Sequence, residues 1–397
     1  MVKKVLLIGI GVSEKTLTAQ ALDAIENAEM FFGAPRMLEP VAIKGKPALP
    51  IYEAEKIREC VETEDKKNFV VFLSGDTGFY SGANALVKAL YPFEVEVLPG
   101  VSSLSYFFSR LKRPWQHAAL ISAHGKEVSI VDAVRRNKET FVLTGRNTNE
   151  LATRLCEAGF EDLMATLGEN LGGIQEKITA MPVKDLKDYS ASSLCVLLID
   201  NPLPDKRVRT GIDDAEFIRG NAPMTKAPVR AQILSQLHIS PEDVCYDVGA
   251  GTGSVSVEMA LSAYEGRVYA IEQKEDAFDL IEKNIRSFHL GNVTCIKGSA
   301  PHALKDLPAP DCVFIGGCSG KMDDTFSLLL QKNRNVRIVL TTIALESLSE
   351  ALDAFKRHGL SAEILQLASS RAKEAGSMHL MIADNPIYIL SAGGKDE

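Results

Sequence analysis

The chain has 397 residues, of which 46% are apolar and 24% are charged, and its formal net charge is −8 at pH 7. This length predicts roughly two or three domains, and the composition is that of an ordinary globular protein. The acidic balance argues against a general nucleic-acid-binding surface, because such a surface needs a basic face.

The seven cysteines show no paired metal-ligand spacing, so we expect no metal site. Their odd number and the absence of an N-terminal signal sequence predict a cytoplasmic protein with reduced thiols. No apolar run approaches the ~18 residues of a membrane span, so we expect no membrane contact.

The first predicted element is a buried parallel strand, Val5–Ile8, which enters the turn Gly9-Ile-Gly11. A helix is predicted to start at Ser13 or Glu14. Its apolar face is expected to comprise Leu17, Ala21, Leu22 and Ile25. A second strand follows over Met30–Phe32 and ends at Gly33.

Two later strands of this half each end in a loop of small residues. The strand 69–73 runs into Ser74-Gly-Asp-Thr-Gly-Phe-Tyr-Ser-Gly82, and the strand 94–98 runs into Pro99-Gly-Val-Ser-Ser103. In an open α/β sheet the ligand crevice lies outside such strand ends. Taken alone, each loop is equally compatible with a purely structural turn.

Together, the N-terminal Gly-x-Gly with Leu17-Thr18 downstream, the Gly-Asp-x-Gly-x-Tyr loop and the Pro-Gly-Val-Ser-Ser loop resemble the tetrapyrrole methylases, the class III methyltransferases. The resemblance covers residues 1 to about 200. It implies two αβα lobes that bind S-adenosylmethionine in the cleft between them. The cofactor contacts that it implies are Gly75, Asp76, Tyr80, Val101, Ser102 and Thr144.

One departure from that family pattern is Val12-Ser13, which stands where the family usually has proline and glycine. Three further pieces, Pro114-Trp115, Ser122-Ala-His-Gly125 and Glu169-Asn-Leu-Gly172, resemble the branch that methylates precorrins at C5 in cobalamin synthesis. We expect the lobes to span about 1–113 and 114–204. His124 is either a core histidine or a residue that faces the cleft.

A connector is predicted after the closing strand 194–199. The stretch Asn201–Arg209 carries two prolines and a basic run, as an exposed linker does. We therefore place the boundary between two domains at residues 204 and 205. The second half begins with a polar segment, and Thr225 is predicted to cap a helix with Pro228 in its first turn. Thr225 can alternatively cover the methionine end of a cofactor.

The second half centres on Asp247-Val-Gly-Ala-Gly-Thr-Gly253, which lies between an apolar run and a stretch of helical spacing. Its glycines allow a sharp turn and a close approach of ligand, and amides at a helix start favour an anionic group. The next strand ends in Glu272, whose carboxylate can accept hydrogen bonds from ribose hydroxyls. The alternative is an incidental glycine-rich loop.

This arrangement resembles motif I of the class I S-adenosylmethionine methyltransferases, which reads acid-x-Gly-x-Gly-x-Gly. The resemblance implies that Asp247 braces the loop. The cofactor contacts that it implies are Thr225, Gly249, Ala250, Gly251, Thr252, Gly253, Glu272 and Ala300.

The remaining elements alternate between strand and helix. Helices are predicted over 275–288 and 345–358, and strands over 293–297, 311–316, 336–341, 361–367, 378–383 and 387–391. This alternation predicts a doubly wound sheet with an antiparallel finish. The expected fold class is α/β, with an N-terminal two-lobed αβα tetrapyrrole methylase fold and a C-terminal Rossmann-like class I methyltransferase fold over residues 205–397.

The segments Asp213–Arg219, Thr225–Arg230, Gly316-Gly317 and Met378–Pro386 resemble the precorrin C15 methyltransferases, which also decarboxylate. The two resemblances together imply an S-adenosylmethionine-dependent C-methyltransferase of cobalamin biosynthesis. It would methylate its substrate at C5 and C15 and remove carbon dioxide from the C12 acetate, with one cofactor per domain. Metal-free and cobalt-containing substrates are equally compatible with the sequence.

Methyl transfer of this kind relies mainly on positioning, and the meso carbons of a reduced tetrapyrrole are nucleophilic, so a strong general base is not obligatory. The tetrapyrrole partner carries many carboxylates, which arginine pairs best. The cationic candidates are Arg219, Lys226, Arg230 and Arg371 in the second half, and Arg113, Lys126 and Arg146, with His124, in the first. Each is alternatively a solvated surface charge. We also expect a homo-oligomer.

Two other functions are alternatives for this sequence. A class I domain can methylate RNA or protein, but the sequence shows neither an RNA-binding module nor a basic arm. Alternatively only the C-terminal half is catalytic, and the N-terminal half, with its altered turn at Val12-Ser13, is a cofactor- or substrate-binding scaffold.

Overall fold

The computed structural model describes residues 3–39, 45–123, 130–145, 147–205, 210–317 and 320–394. Its contacts divide the chain into two compact units. The first comprises Met1–Val128, Asn137–Ala152 and Asp162–Leu203, and the second comprises Ser129–Arg136, Thr153–Glu161 and Pro204–Glu397.

The first sheet of the first unit is fully parallel and has the order β3-β2-β4-β1-β5. Its strands are β1 (Lys4–Gly9), β2 (Met30–Phe32), β3 (Ala48–Leu49), β4 (Asn68–Leu73) and β5 (Glu94–Leu98). The accompanying helices are α1 (Ala19–Asn27), α2 (Pro35–Leu38), α3 (Ala54–Thr63), α4 (Ala83–Ala89) and α5 (Ser103–Leu111). Because β4, β1 and β5 are neighbours, their three following loops meet at one edge of the sheet.

The first helix begins later than the sequence predicts. Thr18 caps α1 by accepting a hydrogen bond from the Ala21 amide at 3.2 Å. The residues Glu14–Thr16 form a short 3₁₀ turn, because the Thr16 hydroxyl accepts the Val12 amide at 3.1 Å and holds the chain in a tighter bend. The prediction that Leu22 belongs to the buried face is wrong, since this side chain is 49% exposed.

The second sheet of this unit is mixed, with the order β6-β7-β10-β8-β9, and only β6 and β7 run parallel. Its strands are β6 (Ala119–Ser122), β7 (Glu139–Leu143), β8 (Met164–Glu169), β9 (Lys177–Pro182) and β10 (Cys195–Asp200). Helix α8 (Val183–Leu186) belongs to this unit, helix α6 (Ile130–Arg136) belongs to the second unit, and helix α7 (Thr148–Glu157) has its first five residues in the first unit and its last five in the second. Helix α5 packs against this second sheet, since Phe107 and Phe108 lie in one buried cluster with Phe141 of β7 and Leu198 of β10.

The second unit contains a seven-stranded sheet with the order β13-β12-β11-β14-β15-β19-β16, in which β19 is antiparallel to both of its neighbours. Its strands are β11 (Val244–Val248), β12 (Arg267–Glu272), β13 (Val293–Lys297), β14 (Cys312–Ile315), β15 (Arg337–Thr342), β16 (Glu363–Leu367) and β19 (Ile387–Ala392). The helices are α9 (Ala227–Leu237), α10 (Ser254–Ser262), α11 (Glu275–Ser287), α12 (Met322–Lys332) and α13 (Leu345–Arg357). The strand order reverses between β11 and β14, so the loop after β11 lies at the switch point where such sheets bind ligands.

The strand predicted over 378–383 exists, but it is not part of the seven-stranded sheet. It is β18 (Met378–Ala383), and it pairs with β17 (Ser370–Ala375) in a separate hairpin. Strand β17 is not predictable from the sequence pattern, because its polar and charged residues lack an apolar face. No helix of the described residues is both long and apolar enough to cross a bilayer.

Candidate functional site

The loops that follow β1, β4 and β5 pack backbone against backbone. A Cβ added to Gly9 would lie 2.6 Å from the Gly75 carbonyl oxygen and 2.8 Å from the Gly100 nitrogen. Gly11 and Gly75 exchange two hydrogen bonds, with N···O distances of 3.0 and 3.3 Å. Only residues without a side chain allow this approach, so the glycines of the first motif bring three loops together.

Asp76 and Ser102, both predicted cofactor contacts, hold these loops in place. The Asp76 carboxylate accepts the Gly78 amide at 2.9 Å and the Gly100 amide at 3.1 Å, so it ties the loop after β4 to the loop after β5. The Ser102 hydroxyl accepts the Ser105 amide at 3.0 Å and caps α5. Val101 lies half-buried between these two anchored positions.

The predicted residues Tyr80 and Thr144 both donate a hydrogen bond to a strand of the second sheet of this unit. Tyr80 has a left-handed backbone, with φ of 48°, and its hydroxyl donates to the Leu120 carbonyl of β6 at 3.2 Å. Thr144 is buried, and its hydroxyl donates to the Cys195 carbonyl at 2.8 Å. The residue after Thr144 opens onto a cavity of about 250 Å³, lined by Gly145, Thr148, Asn149, Ala191, Ser192 and Ser193.

Val12-Ser13, which replaces the proline and glycine usual in the family, lies against a glycine of the other lobe. Gly172 has φ of 76°, and a Cβ added there would lie 2.8 Å from Val12 Cγ2. The loop that carries Gly172 is fixed by Glu176, which accepts the Gly172 amide at 2.7 Å and the Tyr106 hydroxyl at 2.8 Å. Burial opposes ionisation, but these hydrogen bonds prevail and lower the pKa of Glu176.

In the second unit, the three glycines of the central loop all have positive φ, namely 78°, 58° and 77° at Gly249, Gly251 and Gly253. The predicted sharp turn is therefore confirmed. A different segment of the protein also packs closely against each glycine. An added Cβ would lie 2.9 Å from the Gly317 carbonyl at Gly249, 2.6 Å from the Pro223 carbonyl at Gly251, and 3.1 Å from Ile281 Cγ2 at Gly253.

Glu272 lies at the end of β12 with its carboxylate directed at this loop. It accepts the Gly251 amide at 3.0 Å, the Gln273 amide at 2.9 Å and the Lys274 amide at 3.0 Å. A carboxylate has about four acceptor positions, so capacity for a ligand hydroxyl remains. The predicted partner Ala300 lies in the buried core beside Val248.

Asp247 braces the loop, as predicted. Its Oδ2 accepts the Ser256 hydroxyl of α10 at 2.5 Å, whereas its Oδ1 is buried and has no partner among the described residues. Burial raises the pKa of Asp247 to about 7, and the charge of Glu272 adds to this effect. Thr252 Oγ1 is likewise buried without a partner in the described part of the chain. Two such oxygens beside a helix start leave hydrogen-bonding capacity for a polar ligand, which fits a nucleoside methyl donor.

The prediction that Arg230 binds substrate carboxylates is wrong. Its side chain is fully buried, donates to Glu258 at 2.7 Å and Asp214 at 3.1 Å, and lies 4.7 Å over the Phe217 ring. Two carboxylates already satisfy this guanidinium, so it stabilises the segment ahead of α9. The prediction that Thr225 caps α9 is also wrong, because Lys226 is the cap and the Thr225 carbonyl accepts from Arg230.

The other cationic candidates differ in their environments. Arg113 pairs with Glu139 and with Asp200, the latter at 2.5 and 3.0 Å, so its charge is already compensated and the structure argues against its predicted role. Arg371 lies 3.3 Å from Asp214, and Lys226 lies 4.0 Å from the same oxygen.

Arg219 is exposed and has no ion pair with any described residue, so its charge is open to a ligand. His124, Lys126 and Arg146 lie outside the described residues. No group of three or more histidine, cysteine or acidic side chains that can hold a metal occurs in the described ranges.

Family models match both units of the chain. The model described as tetrapyrrole (corrin/porphyrin) methylases matches residues 4–187, and the precorrin methyltransferase domain matches residues 216–392. The folds and the strand-end loops therefore define an S-adenosylmethionine-dependent C-methyltransferase with two different α/β folds, and the predicted fold class is confirmed.

A curated protein of Sinorhizobium sp, the precorrin-6Y C(5,15)-methyltransferase [decarboxylating], is 30% identical over 386 residues, which cover 94% of this chain and 92% of the relative. The chain thus belongs to the family of decarboxylating precorrin-6Y C(5,15)-methyltransferases, and the predicted class of cobalamin-biosynthesis methyltransferase is confirmed.

Two shorter relatives each match 46% of the chain. The probable cobalt-precorrin-6B C(15)-methyltransferase (decarboxylating) of Pyrobaculum calidifontis (strain DSM 21063 / JCM 11548 / VA1) is 39% identical over 185 residues, or 95% of its length. The crystal structure of a precorrin-6y C5,15-methyltransferase from Geobacter metallireducens GS-15 has 34% identity and a TM-score of 0.44, and the match covers 96% of that chain.

Proposed function

We propose that the chain holds two separate methyl-transfer sites. Residues 1–204 methylate C5 of a precorrin, and residues 205–397 methylate C15 and release carbon dioxide from the C12 acetate. Each domain uses one S-adenosylmethionine. The observation that carries this proposal is that each half has its own loop assembly at strand ends, tied by Asp76 and Gly100 in one half and by Glu272 and Gly251 in the other.

The residues of the chain act by positioning. S-adenosylmethionine supplies an electrophilic methyl group on a sulfonium when it is bound. Glu272 offers its remaining acceptor capacity to ribose hydroxyls, and the amides at the start of α10 face the methionine carboxylate. Orientation of this kind contributes to rate by bringing the reacting carbon and the methyl group into line.

The substrate is a tetrapyrrole with several carboxylates, either metal-free or with cobalt. Arg219 is the cation best placed to bind one of them, because it is exposed and carries no ion pair with a described residue. Lys226 and Arg371 share Asp214, so a substrate carboxylate would have to compete with that acid for them. Lys126, Arg146 and His124 remain predictions.

The alternative of a non-catalytic first half is disfavoured. The altered turn at Val12 packs against Gly172 and leaves the Gly9, Gly75 and Gly100 contacts intact. Equilibrium titration of the whole protein with S-adenosylmethionine tests the point, and we expect two cofactors per chain. Saturation at one cofactor would refute two active sites.

A reaction assay tests the chemistry directly. The full-length protein is incubated with S-adenosylmethionine and with metal-free or cobalt-containing substrate, and mass spectrometry counts the methyl groups gained and the carbon dioxide lost. We expect two methylations and one decarboxylation with one of the two substrates. Methylation without any loss of carbon dioxide from either substrate would contradict the assignment to residues 205–397.

We also propose a cytoplasmic homo-oligomer that associates through the β17–β18 hairpin. Every residue of β18 is exposed, and its large apolar side chains are Met378, Leu380, Met381 and Ile382. A two-stranded hairpin alone is marginally stable, and its open edges favour pairing with a second copy. Light scattering should show an oligomer for the native chain and a smaller species for Met381→Lys. A monomeric native chain would exclude this proposal.

A further inference from the structure

Asn284 is a fully buried polar residue in the last turn of α11, and its side chain joins two segments that are far apart in sequence. Its Nδ2 donates to the Thr252 carbonyl at 2.9 Å and to the Ile218 carbonyl at 3.1 Å, and its Oδ1 accepts the Ile218 amide at 2.7 Å. The two carbonyls need a donor and the amide needs an acceptor, so only a carboxamide satisfies all three.

The same turn of α11 packs directly against both segments. A Cβ added to Gly253 would lie 3.1 Å from Ile281 Cγ2, and one added to Gly220 would lie 2.9 Å from Leu280 Cδ1. The segment of residues 211–226, which we call the leading segment, also touches the loop itself, since the Pro223 carbonyl lies 2.6 Å from a Cβ added to Gly251. Helix α11 is therefore the platform on which the glycine loop and the leading segment are aligned.

Asn284 contacts the glycine loop where the loop enters helix α10. It holds the carbonyl of Thr252, and thereby the peptide between Thr252 and Gly253 at the start of α10. The side chain of the same residue carries Thr252 Oγ1, a buried oxygen that has no partner among the described residues. Asn284 itself has no exposed surface and so does not touch a ligand.

We propose that Asn284 is a positioning residue for the methyl donor of the second half. It orients the Thr252–Gly253 peptide for the cofactor and holds the leading segment against the loop. This inference rests on the proposed function, since it takes the loop of residues 249–253 to bind S-adenosylmethionine.

The second unit offers a matched control. Asn292 is 7% exposed, and its Nδ2 also donates to two carbonyls, those of Ala260 at 3.0 Å and Ala263 at 2.8 Å. These bonds lie at the end of α10 that is remote from the glycine loop. Asn292→Asp therefore removes the same donors from a buried site without acting on the loop.

The test compares Asn284→Asp with Asn292→Asp in the full-length protein. For Asn284→Asp we expect the KM for S-adenosylmethionine in C15 methylation to rise at least tenfold, the equivalent of about 1.4 kcal/mol, with a smaller change in kcat. C5 methylation in the same chain should stay unchanged. Asn292→Asp should lower the melting temperature by about as much as Asn284→Asp does. It should nevertheless leave the KM for S-adenosylmethionine within about twofold of the native value.

A conservative variant separates positioning from simple loss of stability. Asn284→Gln keeps both the donor and the acceptor, so its KM should lie between the native value and that of Asn284→Asp. It also serves if Asn284→Asp does not fold. Two results would overturn the inference. One is an equal change in KM in Asn284→Asp and Asn292→Asp. The other is a native KM in both Asn284→Asp and Asn284→Gln. If the native chain binds no S-adenosylmethionine at the second site, the proposed function fails first, and the inference falls with it.

Discussion

The carboxylate of Glu272 accepts a hydrogen bond from the amide of Gly251 at 3.0 Å, across a separation of 21 residues. The acid at the end of β12 and the glycine loop after β11 are thus one unit of structure. This contact holds the loop in place. Under the proposed function, the same acid would also receive the ligand.

Glu272→Gln should weaken binding of S-adenosylmethionine at the second site by about 10- to 100-fold. The amide side chain replaces one accepting oxygen with a donor that faces backbone N–H groups, and a hydrogen bond to a charged group contributes about 1.5–3 kcal/mol. Calorimetric titration measures the affinity, and C5 methylation should be unaffected. The exposed Glu282→Gln on α11 is the control and should bind normally. An unchanged affinity in Glu272→Gln would refute the role of this acid in the site.

Arg230→Met should lower the free energy of unfolding of the second unit by about 3–5 kcal/mol. The variant leaves Glu258 buried without its cation and removes one of the cations that pair with Asp214. Breaking such a buried pair costs more than the pair itself gains. Urea denaturation followed by circular dichroism measures the change. The exposed Arg334→Met is the control, with an expected change within about 0.5 kcal/mol. Native stability with a loss of substrate binding would instead restore Arg230 as a substrate contact.

Gly172→Ala should destabilise the first unit by about 1–3 kcal/mol and reduce C5 methylation. The residue has φ of 76°, and the added methyl group would lie 2.8 Å from Val12 Cγ2. Val12→Ala in the same chain should recover part of the loss, because it removes the clash but not the backbone strain. Gly82→Ala is the control, since nothing lies within 4 Å of its Cβ position and its φ is −75°. No recovery in the double variant would show that Val12 does not restrict this loop.

The stability of the second unit should fall as the pH rises from about 4 to 7. Burial raises the pKa of Asp247 to about 7, whereas an aspartate in the unfolded chain has a pKa of about 3.9. Between these values the folded protein binds a proton that the unfolded protein has lost, so folding is favoured at the acidic end of the window. The window of about three units corresponds to roughly 4 kcal/mol in order of magnitude.

Asp247→Asn cannot titrate and should remove this dependence. The free energy of unfolding is measured for the variant and for the native chain at pH 5 and at pH 8. The stability of the variant relative to the native chain should be greater at pH 8 than at pH 5. The exposed Asp306→Asn serves as the control and should follow the native profile. If the difference between Asp247→Asn and the native chain were the same at both pH values, Asp247 would not be the group that titrates.

Local sequence was sufficient for the elements and loops that carry the chemistry. Glycines at 249, 251 and 253 permit only a tight turn between a strand and a helix, and the acid at 272 ends the next strand. The predicted helix over 275–288 and most of the strands follow from apolar spacing in the same way. A turn of this kind depends on residues that are neighbours in the chain, so it can be predicted without knowledge of the tertiary structure.

The residues that the sequence analysis missed depend on long-range packing. Asn284 reaches Thr252 and Ile218 across 32 and 66 residues. A signal was present, because Asn284 is a polar residue three positions after Ile281 on the apolar face of α11, but its partners could not be inferred from that spacing.

The sequence by itself determined the two α/β folds, the glycine loops and the acid beside one of them, because each depends on residues close together in the chain. The tertiary structure decided which arginine side chains are buried in ion pairs and which are exposed. Arg230 meets Glu258 28 residues away and Asp214 16 residues away, and is buried, whereas Arg219 in the preceding motif is left exposed. Arginines of equal charge acquire different environments because burial and ion pairing are set by segments that only the fold brings together.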